Sequence, residues 1–108
     1  MDAHAAYANG LRQLADFIEQ HTELRCPETD ITVYANGGIE GAKKILAALP
    51  DAKITLPKRP SSDSSPISYK FGPVELVYYF SGEDLVIPSV VDGKIVWSLS
   101  PELQGVMQ

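Results

Sequence analysis

Between residues 67 and 99 lie four consecutive runs of strand-forming residues, the first two alternating at a period of two, and these constrain the fold more than any other feature. Ile67, Tyr69 and Phe71 form the first run, and Val74, Leu76, Tyr78 and Phe80 the second. The β-branched segments at 86–91 and 94–99 form the last two. Successive side chains of a strand point to opposite faces, so the pattern predicts a sheet. Gly72-Pro73 turns the first pair. Asp92-Gly93 predicts a two-residue type I′ hairpin between the last two, because both central residues of that turn need positive φ. Pro88 has no N–H to donate, which puts its strand at an edge or at a bulge.

Upstream, two segments carry the helical period instead. Tyr7, Leu11, Leu14 and Ile18 repeat at spacings of four, three and four, widened by Ala15 and Phe17, and predict a helix over about 2–21 with Asp2 as its N-cap. Arg12 and Asp16 pair on its outer side, and Gly10, a poor helix former, suggests close packing. Residues 29–35 read as a strand, with Ile31, Val33 and Ala35 on one side and Thr32 and Tyr34 on the other. Asn36-Gly37-Gly38 then turns into a second helix striped by Ile39, Ala42, Leu46 and Leu49 and stopped by Pro50. Residues 53–58 read as a short strand, weakened by Pro57.

The apolar stripes of two helices need a surface to cover. The expected architecture is therefore an α+β two-layer sandwich, with both helices packed on one face of a mainly antiparallel four- to five-stranded sheet in the order α-β-α-β-β-β-β-β. At 108 residues the chain reads as one domain over 1–108. Residues 60–66 form a polar loop expected to be mobile, and 101–108 a short turn of helix or a frayed tail.

Composition excludes several function classes. No charge-free apolar run approaches the ~18 residues of a membrane span, and Asp2 opens a helix rather than a secretory leader. With one cysteine, Cys26, no intramolecular disulfide forms, which fits a reducing cytoplasm. His4, His21 and Cys26 do not supply the roughly four ligands of a structural zinc site, so no metal or cofactor is expected. His21 with Cys26 is the nearest approach to a nucleophilic pair, but Pro27 and the lack of an orienting third group argue against it, and no complete catalytic set is visible. The reading is of a non-enzyme.

Two other constellations bear on binding. Charge is uneven. Residues 1–42 hold seven acids and two bases, 43–70 six bases and two acids, and 71–108 five acids and one base, for a net −5. The basic segment contributes Lys43, Lys44, Lys58, Arg59 and Lys70, and with the Gly37-Gly38 turn at a helix N-terminus it defines an alternative nucleic-acid or phosphate-ligand site. The dinucleotide fingerprint is incomplete there, since Asn36 replaces its first glycine and Lys58 stands where the ribose-binding acid belongs. The other constellation is aromatic. Thr32 and Tyr34 fall opposite the main apolar row of their strand, as do Val77 and Tyr79, so a sheet covered on one side only leaves these four as a protein-contact face.

The opening Gly10-Leu11-Arg12-Gln13-Leu14-Ala15-Asp16-Phe17-Ile18-Glu19-Gln20-His21 with Glu23-Leu24, the Phe71-Gly72-Pro73-Val74 turn, and Lys94-Ile95-Val96-Trp97 followed by Pro101-Glu102-Leu103 resemble small uncharacterised proteins encoded by actinobacteria and their phages. Where those proteins carry a longer Arg- and Cys-containing stretch between the last strands, this chain has only Ser81-Gly82-Glu83-Asp84-Leu85. The resemblance brings no activity or catalytic residue. It implies a cytoplasmic bacterial or phage protein that grips a larger one. The expectation is a protein-interaction module, a phage-derived modulator or inhibitor of a host protein, acting through Thr32, Tyr34, Val77 and Tyr79 and an exposed strand edge that would also suit a homodimer.

Overall fold

The computed structural model describes residues 2–27, 30–35 and 37–106. Helix α1 (Ala3–Gln20) starts where Asp2 caps it, its carboxylate accepting the Ala5 N–H at 2.7 Å. Strand β1 (Asp30–Tyr34) leads to α2 (Gly38–Ala48) through Gly37, whose φ of 95° only glycine adopts freely. Then follow β2 (Lys53–Ile54), β3 (Ser64–Phe71), β4 (Val74–Ser81), the single turn α3 (Gly82–Leu85), β5 (Val86–Val91), β6 (Lys94–Leu99) and α4 (Pro101–Val106). The α+β class holds.

The strands divide between two sheets. The larger has the order β1-β4-β3-β2, with β1 parallel to β4 and the other pairs antiparallel. β5 and β6 pair only with each other, so the single sheet of four to five strands expected from the sequence is in fact four strands plus a ribbon. Asp92 and Gly93 both have positive φ, 53° and 77°, as the type I′ turn requires.

One face of the large sheet is the core. Leu46 and Ala42 of α2 pack with Ile67 of β3, Phe80 of β4, Leu85 of α3 and Leu103 of α4, all buried. Burying a side chain of leucine or phenylalanine size contributes roughly 1.5–3 kcal/mol, so these few contacts carry the body. The helix layer expected over the sheet is only half as the sequence suggested. No residue of α1 is buried. Leu85 and Leu103, each with no exposed surface, fill the room beside α2 that a second long helix would need.

The loop expected over 60–66 is shorter than its composition suggests. Ser64, Ser65 and Pro66 are the first residues of β3, opposite Ser81, Phe80 and Tyr79. Before them a turn closes on itself: the N–H groups of Ser62 and Asp63 donate to the Arg59 carbonyl, and the Asp63 carboxylate accepts the Arg59 N–H at 2.9 Å. At the C-terminal end, 101–106 is helix, and 107–108 lie outside the described residues. Among the described residues no helix is long and apolar enough to cross a membrane.

Candidate functional site

β1 is an outer strand of the large sheet, and its sequence Asp-Ile-Thr-Val-Tyr carries one charge, Asp30 at its start, and no proline or bulge-forming glycine to blunt the rest. The opposite edge differs. β2 is two residues long and is soon followed by Pro57 and Pro60, the usual protection against strand addition. The Ala35 N–H donates to the Tyr79 carbonyl at 2.9 Å. Because inward- and outward-facing backbone groups alternate along a parallel ladder, Thr32 and Tyr34 turn their N–H groups away from β4, toward the free edge.

Side chains of the same residues furnish the open face. Tyr34 and Tyr79 are register partners in the parallel pair, and their rings stack with centroids 6.0 Å apart and planes 28° from parallel. Tyr34 is 83% exposed, Thr32 is exposed and Tyr79 is half-buried. Val77 differs from its three companions. It stands between Thr32 on β1 and Ser68 on β3 and is only 5% exposed, so it supports the face from below and offers no contact area of its own. Beside the tyrosines lies an open cavity of about 600 Å³, walled by Thr32, Tyr34 and Tyr79 on one side and Ser61, Ser62 and Ser64 on the other. The serines were not expected at this site. Their polar composition reads as a loop, whereas the pairing of Pro66 with Tyr79 draws the chain alongside β4.

The alternative basic site does not assemble around one anchor. Lys43 is clasped by two carboxylates, Glu102 at 3.0 Å and Glu40 at 3.2 Å, and these raise its pKa above the ordinary lysine value. The Arg59 guanidinium lies 3.5 Å from the Asp63 carboxylate. Lys44, Lys58 and Lys70 are exposed. Gly37 and Gly38 both have positive φ at the start of α2, as a tight turn needs, and the Asp84 Cβ lies 4.0 Å from where a Cβ on Gly38 would be. The His21 ring meets Glu23 at 3.2 Å and lies 4.6 Å from the Phe17 ring, while Cys26 is exposed.

Further exposed apolar residues cluster on α1 and on the ribbon, with Leu24, Leu56, Phe71 and Val74 elsewhere. Tyr7, Leu11, Leu14 and Phe17 of α1 are all exposed, as are Val90 and Ile95, a cross-strand pair near the ribbon's turn. No family model, curated protein or solved structure matches the chain.

Proposed function

We infer that this chain is a non-enzymatic protein-interaction module that takes an extended segment of a partner protein along the β1 edge, with Tyr34, backed by the stacked ring of Tyr79, against a side chain of that segment. The observation that carries the reading is a proline-free edge strand in which Tyr34 turns its N–H outward and stacks its ring on Tyr79 of the neighbouring strand. Strand addition draws affinity from the backbone and specificity from contacts with every second side chain, and the exposed Thr32 and Tyr34 side chains offer such contacts at this edge. The sequence's resemblance to small phage and actinobacterial proteins supports reading the partner as a larger host protein in the cytoplasm.

The experiment is capture of a partner from a bacterial lysate, repeated with three variants. Tyr34→Ala and Tyr79→Ala remove the grip. Thr32→Pro removes an outward donor and leaves the β1–β4 ladder intact. Loss of the captured protein with all three supports the reading, and retention with all three rejects it.

A further inference from the structure

The chain exposes 7999 Å² of surface, whereas a compact monomer of its mass, 11.8 kDa, exposes about 5,900 Å². Its radius of gyration is 17.3 Å against about 13 Å for a compact chain of this length. A typical specific interface covers about 800 Å² on each partner, so the excess of roughly 2,000 Å² leaves room for a second contact besides the β1 edge.

Helix α1 says what kind of contact. His4, Tyr7, Leu11, Leu14, Ile18 and His21 follow one another at spacings of three, four, three, four and three, the seam of a two-helix coiled coil. That series reads the same from either end. Turning one helix end for end about an axis through the Arg12–Gln13 bond sets Leu11 against Leu14 of a second copy, Tyr7 against Ile18 and His4 against His21. The flank fits as well. Phe17 comes level with Ala8 of the other helix and beside its Gly10, where a Cβ would meet nothing within 4 Å in the single chain. The glycine that weakens the helix thus leaves room for a ring.

We propose that α1 pairs antiparallel with α1 of a second copy, making the protein a twofold-symmetric homodimer whose β1 edges remain free. A twofold contact requires a self-complementary surface, and a palindromic stripe on a helix that has no buried residue supplies one. This dimer does not depend on the partner-binding reading, and the two can fail separately.

Sedimentation equilibrium or light scattering of the full chain at micromolar concentration tests it. The expected mass is twice 11.8 kDa. Leu11→Glu with Leu14→Glu halves it, while the near-ultraviolet circular dichroism of Trp97 stays unchanged. Tyr34→Ala leaves the mass doubled. Orientation is read by oxidation in a Cys26→Ser background. A mixture of Tyr7→Cys and Ile18→Cys chains cross-links to each other, and Tyr7→Cys alone does not. A monomeric wild type, a dimer that survives the double glutamate change, or a Tyr7→Cys chain that cross-links to itself overturns the proposal.

Discussion

The Gly82 N–H donates to the carbonyl of Asp63 at 3.0 Å, and a Cβ on Gly82 would stand 2.5 Å from that same oxygen. Pro57 crowds the position from the other side, its ring carbons 2.9 Å from the same point. Gly82 is therefore the place where the start of α3, the turn at 59–63 and the segment after β2 close on one another. Its φ lies outside the left-handed region, so the constraint is space and not conformation.

Gly82→Ala is expected to destabilise the body by about 1–3 kcal/mol, as overpacking against rigid neighbours does. Urea unfolding followed by Trp97 fluorescence measures it. An unchanged midpoint would mean that the Asp63 carbonyl and Pro57 yield freely.

Leu103 of α4 has no exposed surface, although only five residues follow it in the sequence. Leu103→Ala should cost about 2–5 kcal/mol, the range for a large-to-small change in a packed core. The same denaturant titration checks it. A loss below 1 kcal/mol would show that α4 does not close the core.

The Ser65 hydroxyl is buried in β3 and donates to the Thr55 carbonyl at 2.7 Å. Ser65→Ala leaves that acceptor unsatisfied and is expected to cost about 1–3 kcal/mol. Ser65→Cys, with a weaker donor of similar shape, should fall between the two. Thermal melts of the three proteins give the order.

Local chemistry was legible in the sequence, and long-range covering was not. Asp92-Gly93 announces its turn because positive φ is a property of two adjacent residues, and Asp2 announces its cap for the same kind of reason. The stripe of Tyr7, Leu11, Leu14 and Ile18 announces a helix with an apolar side, but periodicity says nothing of what lies against that side. It was assigned to the sheet because a monomer offers no other cover. The polar run at 60–66 is the opposite case. Proline discourages a central strand, yet here it is tolerated in β3, and the strand starts earlier than its composition suggests. At the candidate site, strand parity placed Thr32, Tyr34 and Tyr79 together correctly. Parity could not foresee that Val77, between two neighbouring strands, would be almost fully covered.

The β5–β6 ribbon is secured at its root. The Ser100 N–H donates to the Leu85 carbonyl at 2.9 Å, and Val86 and Ser100 are buried there, while Val90 near the far end is 75% exposed. Six residues of strand make an arm of about 20 Å. A structure clamped at one end is a lever, so a swing of about 10° at Leu85 carries the tip of such an arm through about 3–4 Å. Small rearrangements of α3 or α4 in the core are thereby magnified into the position of Asp92 and Gly93.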